Sequence, residues 1–316
     1  MSIAYSIIAL VFGFSLLIWG ADRFVDGAAG LAKALNVSPL IIGVSIVGFG
    51  TSAPEMLVSA LSAIDRAPQL GIGNAIGSNI ANIGLVLAIT ILFYPLTIKG
   101  NALNREFIAL TVIMSVSTLL MIDGTLSFSD GALLLTGFIV ALAGMTYQAR
   151  QQYTQASETG DTSLSTAHTL LLLVSGLIAL LVGAKVLVSG ATDLARLLGV
   201  SELIIGLTII AIGTSLPELA TTLTAAKKQE HSMAIGNILG SNMFNLLAVL
   251  AMPGLILPSQ IDLMVLYRDI PIMTILFILL FITIKFGQPG YISRQTGGIL
   301  LLTYLAYSSY LGYLTL

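Results

Sequence analysis

Residues 50–55, Gly50-Thr51-Ser52-Ala53-Pro54-Glu55, return later in the chain as Gly213-Thr214-Ser215-Leu216-Pro217-Glu218. Both copies lie deep inside long apolar stretches, and both end in a carboxylate. A charge near the centre of a membrane helix costs roughly 2.5–3.5 kcal/mol on insertion scales, so two at matching places point to a shared task. The second Glu follows the first by 163 residues. The same shift carries Gly20 to Gly183, Gly27 to Gly190, Val37-Ser38 to Val200-Ser201, and Leu40-Ile41-Ile42-Gly43 to Leu203-Ile204-Ile205-Gly206. It also carries Gly73-Asn74 to Gly236-Asn237, Gly77-Ser78-Asn79 to Gly240-Ser241-Asn242, Asn82 to Asn245, Pro95 to Pro258 and Arg105 to Arg268. A gap-free register over roughly ninety residues marks an internal duplication. Beyond it, Gly131 meets Gly297-Gly298 only after a short shift.

Composition sets the solvent of these repeats. Of 316 residues, 56% are hydrophobic and only 9% are charged, against about 25% charged in soluble domains; the mean hydropathy is +0.99. Apolar runs long enough to cross about 30 Å of hydrocarbon recur throughout, which reads as an all-α polytopic membrane protein. Helices are expected near 3–33, 38–64, 70–93, 104–121 and 127–149, then near 168–198, 202–226, 232–256, 267–285 and 296–314. Five spans per repeat is an odd number, so the second copy enters the membrane from the other side. About ten transmembrane helices thus form two inverted five-helix repeats, as in secondary transporters whose site lies where the repeats meet. The expected organisation is a first half at 1–149, a linker at 150–167 and an inverted half at 168–316, together one transport domain.

The first apolar run lacks a basic leader segment and is expected to stay as the first helix. With the N-terminus outside, Lys33, Lys99, Arg105, Arg150, Lys227, Lys228, Lys285 and Arg294 fall on inner loops. Only Arg66, Arg196 and Arg268 fall on outer ones, so the positive-inside rule favours both termini outside. No basic cluster suggests nucleic acid, and no cysteine is present to form a disulfide framework or thiolate metal site.

The repeated hexapeptide suits a cation. Proline lacks an amide hydrogen and clashes with the carbonyl four residues back, here Gly50 and Gly213. Carbonyls around Gly48–Thr51 and Ala211–Thr214 are expected to be freed by a broken helix, and at membrane depth such groups need another partner. A desolvated Na+ or Ca2+ would provide one, with Glu55 and Glu218 adding charge and Thr51, Ser52, Thr214 and Ser215 adding neutral oxygens. The second motif pair places Ser78 and Ser241 one turn before Asn82 and Asn245 on one helical face. These asparagines serve equally well as interhelical hydrogen-bonding groups. The Gly-x-x-x-Gly spacing of Gly73/Gly77 and Gly236/Gly240 allows close helix approach. Glu55 and Glu218 are read as the only acids in the middle of a span, with Asp22, Asp26, Glu106 and Asp269 assigned to outer turns or loops. Two bidentate Glu and one carbonyl from each half would supply about six oxygens, in the range Ca2+ takes. Their combined charge also matches two Na+, so the ions can compete. The absence of midspan His and Cys disfavours zinc and copper.

The paired Gly-Thr-Ser-x-Pro-Glu and Gly-Asn-x-x-Gly-Ser-Asn motifs resemble the two alpha-repeats of the sodium/calcium exchanger family, in its compact prokaryotic form within the cation/calcium antiporter superfamily. The resemblance implies a non-enzymatic antiporter of the cytoplasmic membrane that exchanges about three Na+ for each Ca2+, electrogenically and by alternating access. It implies no cofactor and no required protein partner; the ligands are the transported Ca2+ and Na+. Glu55 and Glu218 would share Ca2+ with the Thr51 and Thr214 carbonyls. Flanking Na+ positions would use the Gly48 and Ala211 carbonyls with Ser52, Ser78, Ser215 and Ser241. Many sodium-coupled relatives carry Asp where this chain has Asn245, and in potassium-dependent relatives that Asp is tied to K+; here K+ dependence is not expected. The resemblance also implies that the first and sixth helices form a gate sliding past a fixed core. Asp22 and Lys185 are equivalent positions expected near opposite faces. An H+/Ca2+ exchanger, a cation channel and an intramembrane hydrolase remain as alternative classes. The inverted halves argue against the channel, and the absence of His ligands argues against the hydrolase.

Overall fold

The computed structural model describes residues 3–97, 102–156, 166–200, 211–287 and 290–314. Ten helical segments, in keeping with ten membrane spans, are seen among the described residues. The first half contains α1 (Ile3–Ala34), α2 (Pro39–Ile64), α3 (Pro68–Phe93), α4 (Ala102–Met121) and α5 (Phe128–Ala156). The second contains α6 (Thr166–Leu197), α7 (described as Ala211–Gly213 and Leu216–Lys227), α8 (His231–Ile256), α9 (Val265–Phe286) and α10 (Arg294–Leu314). Among the described residues, eight helices are long and apolar enough to cross a membrane by length and composition. The helix α5 continues past the boundary expected at 149, and 157–165 and 201–210 lie outside the described residues.

The repeat is visible down to its turns. Arg66 (φ 62°) ends the α2–α3 turn and Gln229 (φ 64°) ends the α7–α8 turn at the equivalent position. Asn36 (φ 49°) after α1 corresponds to Gly199 (φ 79°) after α6. Left-handed backbone at non-glycine residues is uncommon, so its recurrence at Arg66 and Gln229 reflects one turn used twice. Ser38 caps α2 by accepting the Leu40 amide at 3.2 Å, with Pro39 in the first helical turn, where its missing N–H costs nothing.

Two short ribbons tie the halves together. Strand β1 (Leu96–Thr97) pairs with β4 (Tyr291–Ile292), and β2 (Thr125–Leu126) pairs with β3 (Ser259–Gln260), both antiparallel. The first ribbon joins the loop after α3 to the loop before α10; the second joins the loop before α5 to the loop after α8. Each pairing therefore links loops that a ten-span, inverted arrangement puts on one face.

Helices α1 and α6 run antiparallel with their backbones in contact. Gly13, Gly20 and Gly27 face Leu187, Leu180 and Leu173, while Gly176 and Gly183 face Phe24 and Leu17. A Cβ at any of these five glycines would lie under 3.0 Å from the partner's main chain. Glycine every seventh residue on both helices thus welds them, since only small residues permit such approach. The α2–α8 crossing is equally close: a Cβ at Gly236 would meet Leu40 O at 2.7 Å, and Gly240 lies against Val44 O. The Gly-x-x-x-Gly expectation holds for this copy. Among the described residues nothing lies within 4 Å of a Cβ at Gly73 or Gly77; their symmetry-related neighbours, 203–207, lie outside the described residues.

Candidate cation site

The expected helix break is present in only one half. In the second, α7 is interrupted at Thr214-Ser215, and its continuation starts at Leu216 with Pro217 in the first turn. In the first, the α-helix runs from Gly48 to Ile64 with Pro54 inside it. The Gly50 carbonyl still lacks a Pro54 N–H partner, so the motif frees a carbonyl without breaking the helix. The irregularity of α2 lies earlier, in a wide π turn at Gly43–Val47. Two further wide turns open at equivalent residues, Asn82 in α3 and Asn245 in α8. Such turns disturb the helical bonding ladder and occur often at functional sites.

Glu55 and Glu218 are each 1% exposed, and Thr51, Ser52, Asn82, Ser215, Ser241 and Asn245 are buried with them. Ser78 is buried one turn before Asn82, and Thr214 is half-buried at the α7 break. The main chain of Gly48 lies against Gly240 and Ser241 of the other repeat. Ala211 opens the short helical piece before the α7 break.

Polar contacts cross from one repeat to the other. The Thr51 hydroxyl lies 3.2 Å from Asn237 Oδ1 and 3.2 Å from Ser241 Oγ, and Val47 O (3.1 Å) is also within its reach. Asn237 in turn donates to Thr222 Oγ1 at 2.8 Å. Glu218 lies beside Thr51 and near Glu55, so the two carboxylates and the Thr51 hydroxyl share one locus. Asn82 donates across the interface to Asn242 Oδ1 at 3.1 Å, and Asn74 donates to the Glu55 carbonyl at 3.2 Å.

What these contacts leave over is the informative part. Glu55 Oε2, Glu218 Oε2, Ser52 Oγ, Asn82 Oδ1 and both amide atoms of Asn245 are buried with no hydrogen-bond partner among the described residues. Buried polar atoms are normally paired, and each orphan costs about 1–3 kcal/mol, more for a charged group. Five of the six can present an acceptor lone pair, and they come from both repeats. Two carboxylates with hydroxyl, amide and main-chain oxygens make a hard-donor set, which suits a cation such as Ca2+ or Na+. The charge of the two carboxylates calls for two compensating positive charges.

Sequence reasoning left out Asn237 and Thr222 as supports, although Thr222 and Ser59 each follow a motif Glu by four residues, hence on the same helix face. Glu106 and Asp269 lie in the outer turns expected for them, near the starts of α4 and α9, but both are buried there. Asp269 is held by Arg268 Nε at 2.6 Å and by the Tyr307 hydroxyl at 2.8 Å. Glu106 borders an apolar cavity of about 430 Å³ between α2, α4, α5 and α8. Neither acid lies with Glu55 and Glu218, and this cavity is not lined by the paired motifs.

The sequence profile of the sodium/calcium exchanger protein family matches residues 5–147 and 168–313, thus both halves and not the connection between them. The chain belongs to the sodium/calcium exchanger family. It is 41% identical to CaxA of Alkalimonas amylolytica over 307 residues, covering 95% of this chain and 96% of the relative. It is 34% identical to the sodium/calcium exchanger MaX1 of Methanosarcina acetivorans, covering 99% of this chain and all of the relative. In structure it is similar to the sodium/calcium exchanger of Methanococcus jannaschii, with a TM-score of 0.85, 32% identity, and coverage of 98% and 99% of the two chains. A family of exchangers is a family of membrane transporters, and the ten-span inverted architecture is the form this exchanger takes.

Proposed function

We propose that the protein is a secondary antiporter that exchanges Na+ for Ca2+ by alternating access, with about three Na+ per Ca2+ and net charge movement. The observation that carries this reading is the pair of buried carboxylates, one from each inverted half, with orphaned oxygens around them. Glu55 and Glu218 hold Ca2+ together with the carbonyls of Thr51 and Thr214. Na+ takes the Gly48 and Ala211 carbonyls with Ser52, Ser78, Ser215 and Ser241, while Asn82 and Asn245 close the site as neutral groups. One Ca2+ or two Na+ neutralise the same two carboxylates, so the ions exclude one another, the minimum condition for exchange at one site. The halves 1–149 and 168–316 act as one transport domain in a cytoplasmic membrane, with both termini outside, in keeping with the Lys and Arg of the inner loops.

A second reading is H+/Ca2+ exchange. It is favoured by Asn82 and Asn245, which leave the centre without a third carboxylate, so that two protons can neutralise it as two Na+ would. Radiolabelled calcium uptake into proteoliposomes separates the two. Uptake driven by an outward Na+ gradient at constant pH is the expected result. Uptake driven by a pH gradient without Na+ supports the second reading, and no uptake under either gradient contradicts both.

A further inference from the structure

On the face where α1 ends, Lys228, the first residue after α7, reaches α1. Its Nζ lies 2.6 Å from Asp22 Oδ1, 2.7 Å from Asp26 Oδ1 and 2.9 Å from the Asp22 carbonyl. Asp22 and Asp26 are one turn apart on α1 and accept the same ammonium group. The 163-residue shift that relates the halves maps Asp22 onto Lys185 and Lys228 onto Asp65. The equivalent pair is therefore Lys185 on α6 and Asp65 after α2, with the signs of charge exchanged. Both of these residues are exposed, and they make no ion pair with each other or with any described residue. One copy of the pair is closed and the other is open.

The helices carrying the two pairs move together or not at all. Gly13, Gly20 and Gly27 of α1 lie level with Leu187, Leu180 and Leu173 of α6, so Asp22 lies level with residue 178. Lys185 is seven residues further along α6, roughly 10 Å away at 1.5 Å per residue. The contacts on the core are lopsided in the same sense: α1 packs along α7, whereas α6 meets α2 over only a small patch. Each helix has 32 residues, about 48 Å at that rise against about 30 Å of hydrocarbon, so a slide along the axis leaves the bilayer spanned.

We propose that Asp22/Asp26–Lys228 and Asp65–Lys185 are alternating latches, one per membrane face, that hold the glycine-welded α1–α6 pair at the two ends of its travel. This rests on the alternating-access reading above. The closed Lys228 latch holds the state described here, and its release lets Lys185 reach Asp65. A partly exposed ion pair shifts a two-state balance by about two- to fivefold, enough to bias the gate without locking it. These are positioning residues, because none belongs to the cation site.

The chain has no cysteine, so thiol-directed spin labels can be placed at will. Labels at Ile64, the end of α2, and Leu197, the end of α6, occupy exposed positions outside the latches. Their distance distribution is measured by pulsed electron paramagnetic resonance in the full chain, alone and with Lys228→Ala, Lys228→Arg or Lys185→Ala. The expected result is two populations: with Lys185 level with Asp65, Leu197 lies twelve residues past the end of α2, so Lys228→Ala raises the long-distance one about two- to fivefold, Lys185→Ala lowers it, and Lys228→Arg matches the unsubstituted latch. Shifts of the same sign, or no shift, overturn the latches; a structural defect would not move the populations in opposite directions. Calcium flux in the same samples keeps the two readings apart. Opposite shifts without flux under any gradient remove the antiport reading alone, and flux without opposite shifts removes the latches alone.

Discussion

In the first repeat the helix carrying Gly-Thr-Ser-x-Pro-Glu runs through its proline from Gly48 to Ile64, whereas in the second the same pattern is split at Thr214-Ser215 and restarts at Leu216. Local propensity cannot choose between these outcomes, because glycine, hydroxyl pair, proline and glutamate are the same in both. The surroundings differ. A Cβ at Gly50 would meet Phe24 of α1 and Leu177 of α6 at 3.2 Å, while the three atoms nearest a Cβ at Gly213 all belong to Val188 of α6. The welded α1–α6 pair lies unequally on the two halves, and the hexapeptide follows its cover. On the alternating-access reading proposed above, exchanging the two conformations between the halves gives the state that faces the other way, and the asymmetry belongs to the state rather than to the sequence.

The most severe way to test the equivalence of the halves is to remove one charge from either. Glu55→Gln and Glu218→Gln should each lower calcium exchange at least about a hundredfold, since each leaves its partner carboxylate with half of a shared site. A large loss in only one variant would mean that the halves are not equivalent in ion binding. Next in size, Gly20→Leu or Gly183→Leu should push the α1 and α6 main chains apart. A loss of about 1–3 kcal/mol or more is expected from such overpacking, read as a lowered unfolding temperature in detergent. Native stability in either variant would contradict a welded pair.

The prolines sharpen the comparison further. Pro54→Ala restores a missing bond within a continuous helix and should raise thermal stability. Pro217→Ala lets α7 close its break and should slow exchange by about tenfold, because the break then has to be remade in each cycle. Equal effects of the two on thermal stability would place the asymmetry elsewhere. The smallest change is expected from Thr51→Val, which removes the hydroxyl shared with Ser241 and Asn237. A net hydrogen bond is worth about 1 kcal/mol, so calcium binding should weaken about fivefold in an equilibrium titration.

Much of this architecture is legible in the chain. Hydropathy places most helix ends within about two residues, and the parity of the repeat implies the inversion that the β1–β4 and β2–β3 ribbons display. The paired motifs by themselves point Glu55, Thr51, Ser241 and Glu218 to one place, because a duplicated, inverted pattern has to meet itself at the midplane. The continuity of α2 through Pro54 is not legible, because proline states only which bond is missing. Burial of Glu106 and Asp269 is hidden as well, since a residue near a helix start reads as interfacial until its neighbours are known. Asp269 is covered by Tyr307, a contact from α10 that no local pattern announces. The Lys228 clamp has the same origin: the repeat register relates Lys228 to Asp65, but only the packing of α1 on α7 brings it to Asp22 and Asp26.

Equilibrium binding of radiolabelled calcium to purified protein, with and without Na+, tests the shared site most directly. One Ca2+ per chain is expected, displaced by Na+ and lost to a similar extent in Glu55→Gln and in Glu218→Gln. Calcium binding that survives unchanged in either variant would contradict a single site built from both halves.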